Sequence, residues 1–184
     1  MLGVDRLRGS LDAIAALSPA LAVREAAPLL ASALGGAGVS RQVERAVRGA
    51  PGRGDAPTFE TLARADGWSL ELFVWPTGAA TPIHDHSTWG LYVCLAGRLG
   101  EERYARLDDE ARVGLARLKR EWQAIWRPLE QSSLMPYAGG IHRVHNAGLE
   151  PAVSVHLYGP AGVIDGRDYD ARREFVCDRP LLVA

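Results

Sequence analysis

The stretch of sequence that decides the fold runs Gly78-Ala-Ala-Thr-Pro-Ile-His84-Asp-His86-Ser-Thr-Trp-Gly90-Leu-Tyr-Val-Cys-Leu-Ala-Gly97. Five residues separate its first glycine from a His-x-His pair, and ten residues separate that pair from its last glycine. Residues two apart in a β-strand project to the same side, so His84 and His86 can bind one metal ion together. Because imidazole is the commonest metal ligand near neutral pH, the stretch predicts a metal site.

The spacing of these glycines and histidines resembles the first signature of the cupin superfamily. A second segment, Gly140-Ile-His142-Arg-Val-His145-Asn146, resembles the second cupin signature, in which a histidine is followed four residues later by an asparagine at a turn. The proline that usually precedes this histidine is Pro136, one residue further away than in the family pattern. The resemblance implies His142 as the third nitrogen ligand, beside His84 and His86.

A fourth protein ligand is not expected. Most cupins carry a glutamate at the position where this chain has Gly90. A site of three histidines is neutral and leaves up to three positions of an octahedral metal free, so it favours an anionic ligand. A substrate thiolate would supply that charge, and binding to the metal would keep the sulfur deprotonated.

The two remaining histidines have different expected roles. His145 follows His142 by three residues, so strand alternation turns it to the opposite face, and we interpret it as a surface or packing residue. His156 lies in Ser154-Val-His156-Leu-Tyr158, whose alternate side chains point to one side of a strand. A hydroxyl, an imidazole and a phenol in this order can form one hydrogen-bonded line that orients the phenol. The alternative interpretation is a strand with a polar face.

Together with Trp89-Gly90, these motifs resemble the thiol dioxygenases, meaning cysteine dioxygenase and the bacterial relatives that oxidise 3-mercaptopropionate, over roughly residues 58–175. The resemblance implies Fe(II) as the cofactor, held by His84, His86 and His142. It implies a small thiol and O2 as substrates and a sulfinic acid as product. The catalytic residues that it implies are Ser154, His156 and Tyr158.

The resemblance also bears on the surroundings of Tyr158. In animal cysteine dioxygenases a cysteine is crosslinked to the corresponding tyrosine, but alignment on Gly97 puts Gly90 at the cysteine position. Tyr158 is therefore expected to be unmodified, with Cys94 not its obvious partner. Trp89 and Trp126 are expected to line the substrate pocket, with a place in the hydrophobic core as the alternative.

The group that binds a substrate carboxylate is less well defined. The family uses an arginine or a glutamine on an early strand, where this chain has Thr58-Phe-Glu-Thr-Leu62. Arg167 resembles an arginine that mercaptopropionate enzymes use from the loop after the Ser-His-Tyr strand. A planar guanidinium can hold a carboxylate by two hydrogen bonds. Arg64 and Arg103 remain alternatives.

The first 50 residues have a helical pattern. Apolar residues recur at spacings of three and four from Val4 to Leu17, and Ser18-Pro19 is typical of the start of a second helix. That helix is expected to be disturbed or restarted at Pro28 and to stop at Gly35-Gly36. A short third helix is expected at 40–48, followed by a Gly- and Pro-rich loop at 49–57.

After this loop the pattern changes to alternation. Trp68, Leu70, Leu72 and Val74 are expected to share one face of a strand, and further short strands are expected at 58–64, 82–86, 90–96, 99–107, 112–119, 121–127, 141–145 and 152–159. The expected fold is an all-β cupin double-stranded β-helix, also called a jelly-roll barrel, with a short N-terminal helical segment. Residues 1–50 would be helices packing on the barrel, and residues 58–184 the metal-binding domain.

Composition limits the classes of partner. The 184 residues include 21 basic and 22 acidic side chains, which gives no general argument for nucleic acid or an anionic membrane. No apolar run approaches the roughly 18 residues of a membrane span, and Met1-Leu-Gly-Val-Asp-Arg lacks the order of a secretory signal. Two distant cysteines, Cys94 and Cys177, fit unpaired thiols. We therefore expect a cytoplasmic location, and a homo-oligomer stays open.

Two other functions stay open at this point. The first is a metal-dependent cupin that acts on another small molecule, such as a diketone. The second is a cupin that binds a metal or ligand without catalysis.

Overall fold

The computed structural model describes residues 4–35, 37–109, 116–160, 165–169 and 179–182. Within these ranges three helices precede the strands: α1 (Val4–Ala15), α2 (Pro19–Leu34) and α3 (Ala37–Gly49). The strands are β1 (Thr58–Ala65), β2 (Trp68–Trp75), β3 (Ile83–His84), β4 (Gly90–Ala96), β5 (Leu99–Arg106), β6 (Leu118–Trp126), β7 (Gln131–Leu134), β8 (His142–Asn146), β9 (Ala152–Tyr158), β10 (Asp165–Tyr169) and β11 (Arg179–Leu182). A short 3-10 helix, Tyr137–Gly140, lies before β8.

The strands form two antiparallel sheets. The order in the first sheet is β1-β2-β9-β4-β7, and the order in the second is β11-β10-β3-β8-β5-β6. Neighbours in both sheets are far apart in sequence, as in β2 with β9 and β3 with β8. This arrangement confirms the expected all-β cupin barrel with an N-terminal helical segment. The division into domains at residues 50 and 58 stays a prediction.

The helices differ from the expectation at Pro28, and α3 also begins at Ala37, before the expected residue 40. Helix α2 runs through Pro28 without a restart, although proline removes one intrahelical hydrogen bond. Ala26 and Leu30, on either side of the proline, are fully buried in the core beneath the helices. Burial of this face outweighs the lost bond, so the helix continues to Leu34, just before the expected stop. None of the helices in the described ranges is long and apolar enough to cross a membrane.

The strands also show two differences. Residues 110–115 lie outside the described ranges, and the expected strands at 112–119 and 121–127 correspond to a single strand, β6, from Leu118 to Trp126. Strands β7, β10 and β11 were not predicted. Cys177 also lies outside the described residues, whereas Cys94 is a buried free thiol.

Strand alternation decides which side chains enter the barrel. On β9, Val153, Val155 and Leu157 belong to the core under the helices, so Ser154, His156 and Tyr158 face the interior. On β2, Trp68, Leu70 and Leu72 belong to the same core, so alternation turns Glu71, Phe73 and Trp75 inward. The expected shared face of β2 is therefore the helix-covered outer face, and the inner face carries polar and aromatic groups.

Candidate active site

The three histidines expected as metal ligands lie together. His84 on β3 pairs directly with His142 on β8 in the antiparallel register, and His86 follows β3 by two residues. The Nε2 atom of His142 lies 3.1 Å from that of His84 and 3.3 Å from that of His86. All three side chains are buried. Two strands and the turn after β3 therefore bring the three nitrogens to one point.

This geometry fits one metal ion. Two nitrogens bound at about 2.1 Å and at right angles lie about 3.0 Å apart, close to the separations seen here. The group consists of three histidines, and within the described part of the chain no Asp, Glu or Cys joins it. The site therefore has the neutral ligand set that Gly90 predicted, with coordination positions left for other ligands.

Hydrogen bonds behind the site set the tautomers of two ligands. His84 Nδ1 lies 3.0 Å from the carbonyl oxygen of Pro82, and His142 Nδ1 lies 3.0 Å from Oε1 of Glu101. Both acceptors require an N–H at Nδ1, so Nε2 keeps its lone pair for the metal. Burial lowers the pKa of all three histidines, and the neighbouring imidazoles lower it further for His86 and His142. The rings are therefore neutral, as metal binding requires.

Glu101 on β5 is a fully buried carboxylate that sequence reasoning did not single out. Its Oε1 binds His142 and also lies 2.7 Å from Nε of Arg103. Its Oε2 accepts hydrogen bonds from Tyr92, Ser132 and Trp126, at 2.9, 2.7 and 3.0 Å. With both oxygens held, Glu101 fixes the orientation of the His142 ring and supplies a negative charge directly behind one metal ligand.

The Ser-His-Tyr motif forms the expected line. Ser154 Oγ lies 2.8 Å from His156 Nε2, and His156 Nδ1 lies 3.0 Å from the hydroxyl of Tyr158. A fourth member, Trp75 on β2, donates its indole N–H to Ser154 Oγ at 2.9 Å. The sequence contained a clue to this role of Trp75, because strand alternation puts it on the face of β2 opposite to Trp68, Leu70 and Leu72.

Trp75 also gives the line a direction. An indole N–H can only donate, so Ser154 Oγ accepts from it. If the Ser154 hydroxyl also accepted from His156, its own proton would be buried without an acceptor among the described residues, which is costly. Ser154 therefore donates to Nε2 of His156, whose Nδ1–H donates to the Tyr158 oxygen. The phenolic proton of Tyr158 is then free to point into the barrel.

The surroundings of Ser154, His156 and Tyr158, which we call the triad, keep its imidazole neutral and its phenol protonated. The His156 ring packs 4.3 Å from the Phe73 ring and is stacked 5.1 Å from the Tyr92 ring, measured between centroids. Burial lowers the pKa of His156 to about 3, so the imidazole is neutral. Burial, and then the charge of Glu71, raise the pKa of Tyr158 well above its usual value. The phenol therefore keeps its proton.

One cavity contains both the metal ligands and the end of the triad. Its volume is about 180 Å³. The described residues that line it are Phe59, Glu71, Phe73, Trp75, Thr81, Pro82, His84, His86, His142, Val144, His156 and Tyr158. Aromatic and aliphatic side chains form most of its wall, and Glu71 is the only acidic residue among them. The sequence analysis did not single out Glu71. It lies between Leu70 and Leu72 on β2, and strand alternation turns it to the inner face.

Trp89 is not brought to this cavity. Its side chain is buried in the core under the helices, together with Leu91 and Val93. Residues 89, 91 and 93 share one face of the chain around β4, and that face is the outer one. Trp89 therefore lies in the hydrophobic core, which was the alternative to a place in the pocket. Alternation along the strand explains this, because residue 89 points to the side opposite to residue 90. Trp126 is partly buried beside Glu101 and is likewise absent from the cavity residues that the structure describes.

The candidate arginines are engaged with carboxylates in the structure. Arg167 places its Nε and Nη2 atoms 2.8 Å from Oδ2 of Asp85, and its backbone N–H donates to Oδ1 of the same residue. Tyr169 also donates to Asp85. Arg167 therefore supports the residue between two metal ligands, and its expected role toward a substrate carboxylate stays a prediction. Arg103 is held by Glu101, and it donates to Ser132.

His145 lies away from the metal ligands. It is half-buried on β8, and its ring packs against Gly100 so closely that a side chain at position 100 would collide with it. Burial lowers its pKa. This agrees with the expected packing role.

Comparison with known proteins adds a family relationship. The family model for cysteine dioxygenase type I matches residues 57–172. Cysteine dioxygenase type 1 of Danio rerio is 32% identical over 95 residues, which cover 50% of this chain and 45% of that protein. The chain thus aligns with less than half the length of that curated relative.

Solved structures with a similar fold include a protein of Thermus thermophilus, which is 20% identical and matches 61% of this chain and 91% of its own, with a TM-score of 0.46. A cupin superfamily protein of Desulfitobacterium hafniense is 18% identical and matches 59% of this chain and 81% of its own, with a TM-score of 0.41. Residues 57–172, which match the family model, are more than half of the chain and include both histidine motifs and the Ser-His-Tyr strand, and the chain therefore belongs to the cysteine dioxygenase type I family.

Proposed function

We propose that this protein is an Fe(II)-dependent thiol dioxygenase that converts a small thiol to a sulfinic acid, RSH + O2 → RSO2⁻ + H⁺. Both oxygen atoms go to sulfur, whose oxidation supplies all the electrons that reduce O2, so no other reductant is needed. Cysteine and 3-mercaptopropionate are the substrates of the proteins that it resembles. The observation that supports the proposal most is that three neutral imidazoles and the free proton of Tyr158 share one cavity.

The ligand set fits the proposed cofactor. His84, His86 and His142 would hold the ion, with two of them fixed in the required tautomer by Pro82 and Glu101. When bound, Fe(II) supplies the redox chemistry that couples a thiolate to O2. A neutral ligand set favours binding of an anionic sulfur.

The remaining residues orient the reactants. Tyr158 would donate a hydrogen bond to a reactant in the cavity, and His156, Ser154 and Trp75 keep its oxygen in place. Because the pKa of Tyr158 is raised, its proton is available at neutral pH. The aromatic wall around His156 limits the water that can reach the reacting atoms.

The direct test is oxygen uptake by protein loaded anaerobically with Fe(II). We expect one O2 consumed per sulfinic acid formed with a small thiol, measured with an oxygen electrode and by mass spectrometry of the product. The His142→Ala variant should lose this activity and bind less iron. The matched control His145→Ala, on the same strand but away from the ligands, should keep both.

Two results would contradict the proposal. One is that no thiol is consumed although iron is bound. The other is uptake with a diketone alone, which would favour the alternative cupin reaction.

A further inference from the structure

Glu71 is a buried carboxylate in the wall of the cavity. Its side chain is 4% exposed, on the inner face of β2. Among the described residues it pairs with Arg64, whose Nη2 lies 3.7 Å from Oε1 of Glu71 and whose own side chain is 54% exposed. This separation is longer than a hydrogen bond, and the guanidinium remains largely in water. Arg64 therefore compensates the charge of Glu71 only weakly, from outside the cavity.

The carboxylate lies at the triad end of the cavity. Glu71 and His156 are directly paired in the antiparallel register of β2 and β9. Side chains paired in this way are neighbours on the same face of a sheet, with Cβ atoms roughly 5 Å apart. The charge of Glu71 also raises the pKa of the Tyr158 phenol, which places it within electrostatic reach of that hydroxyl.

The rest of the described wall does not satisfy a negative charge. It contains no Lys or Arg, and its histidines are neutral. Burial accordingly raises the pKa of Glu71, while Arg64 and the side chain of Ser69 oppose the rise. A carboxylate taken out of water is stabilised by a cationic partner that donates hydrogen bonds to it. A ligand bearing its own carboxylate would instead meet a like charge.

We propose that Glu71 selects thiols that carry a protonated amine, by accepting a hydrogen bond from the ammonium group while the sulfur faces the three histidines. This inference rests on the proposed function. The substrate class is then a short aminothiol without a carboxylate, such as cysteamine, and an acidic thiol such as 3-mercaptopropionate is a poor substrate. An ammonium group beside Glu71 would favour its ionised form, so binding and ionisation support each other.

The test compares three thiols of similar length: cysteamine, 2-mercaptoethanol and 3-mercaptopropionate, which differ in charge. For the wild-type protein we expect kcat/KM for cysteamine to exceed that for 3-mercaptopropionate by at least about tenfold. Glu71→Gln should lower kcat/KM for cysteamine by about 10–100-fold, the effect of losing a hydrogen bond between charged groups. The value for the neutral 2-mercaptoethanol should change by less than about threefold.

The matched control is Glu60→Gln. Glu60 is an exposed glutamate on β1, in the same hairpin but outside the cavity wall. This variant removes the same formal charge and should leave all three thiols unchanged. Thermal denaturation and iron content of Glu71→Gln show whether the variant is folded and loaded.

A second readout does not require turnover. Anaerobic calorimetry of the Fe(II)-loaded protein measures the Kd for each thiol, and Glu71→Gln should weaken cysteamine alone. Equal losses for all three thiols, or a wild-type preference for 3-mercaptopropionate, would overturn the role of Glu71. If no thiol is oxidised but cysteamine binds in a Glu71-dependent way, the proposed reaction fails while the selection of aminothiols stands.

Discussion

Gly90 lies directly opposite Tyr158 in the antiparallel pairing of β4 and β9, and a Cβ atom at position 90 would lie 3.1 Å from two atoms of the Tyr158 ring. The Tyr158 ring also lies near His86, with the centroids 5.2 Å apart. The phenol therefore has both a glycine and an expected metal ligand as close neighbours. Two consequences can be measured.

The first consequence is the prediction that Tyr158 carries no covalent crosslink. Cys94 is paired with Ser154 in the register of β4 and β9, four residues along β9 from Tyr158. Position 90, opposite the ring, offers no sulfur. Mass spectrometry of the peptide containing Tyr158 should give its unmodified mass, before and after turnover, and a loss of two hydrogens with a joined cysteine peptide would contradict this.

The second consequence concerns Gly90→Ala. The added methyl group would meet the Tyr158 ring more tightly than normal contacts allow, and the ring must move a few tenths of an ångström. A displaced phenol should lower kcat by roughly tenfold with a smaller effect on iron binding, because positioning of reacting groups is sensitive to such shifts. Gly9→Ala, in helix α1 with nothing near its Cβ, should leave kcat unchanged. Wild-type kcat in Gly90→Ala would show that the ring has room to adjust.

The metal centre could be predicted from the sequence because its determinants are local. The spacing of His84 and His86 follows from strand alternation, and the same rule orders Ser154, His156 and Tyr158 along β9. To place Trp89 correctly, alternation had to be followed along β4, because residues 89 and 91 point to the same, outer face. Local periodicity therefore predicted the metal ligands and the triad. It did not predict which side chains point into the barrel and which point into the core under the helices.

The supporting residues could not be predicted in the same way. Glu101 gains its role from His142, 41 residues away, and Asp85 gains its partner Arg167 from 82 residues away. No spacing rule links such pairs, and an isolated Glu or Arg in a sequence is most often exposed. Strands β10 and β7 are short, and their apolar patterns are too brief to be distinguished from loops.

Glu101 should control metal affinity through His142. In Glu101→Gln the side chain is uncharged and has one acceptor oxygen in place of two, so it cannot accept hydrogen bonds from all the groups that now donate to Glu101. The His142 ring then loses its charged partner. Partners of this kind contribute about 10–100-fold to metal affinity, and we expect a loss of that size in competition with a chelator. Glu102→Gln, on the outer side of the same strand, is the control and should keep wild-type affinity. Equal affinity of both variants would contradict the role of Glu101.

His156 should make the stability of the metal-free protein depend on pH. Its pKa is lowered from 6.5 to about 3 in the folded state, so the unfolded state binds more protons between these values. The contribution is fully present above pH 6.5 and is lost as the pH falls toward 3, at about 1.4 kcal/mol per pH unit. Urea unfolding of the wild type and of His156→Gln, which does not titrate, should give slopes that differ by this amount below pH 6.5. Parallel curves would mean that His156 is protonated as easily in the folded state.

Arg167 should act on stability through Asp85. Asp85 is fully buried between two metal ligands in sequence, and Arg167 is its cationic partner. Arg167→Ala leaves this carboxylate with the Tyr169 hydroxyl and a backbone N–H, so the free energy of unfolding should fall by about 3 kcal/mol. Because the effect reaches the site through Asp85, the loss of kcat/KM should be similar for cysteamine and for 3-mercaptopropionate. A selective loss for the acidic thiol, with little change in stability, would instead assign the guanidinium to a substrate carboxylate, as the sequence resemblance implied.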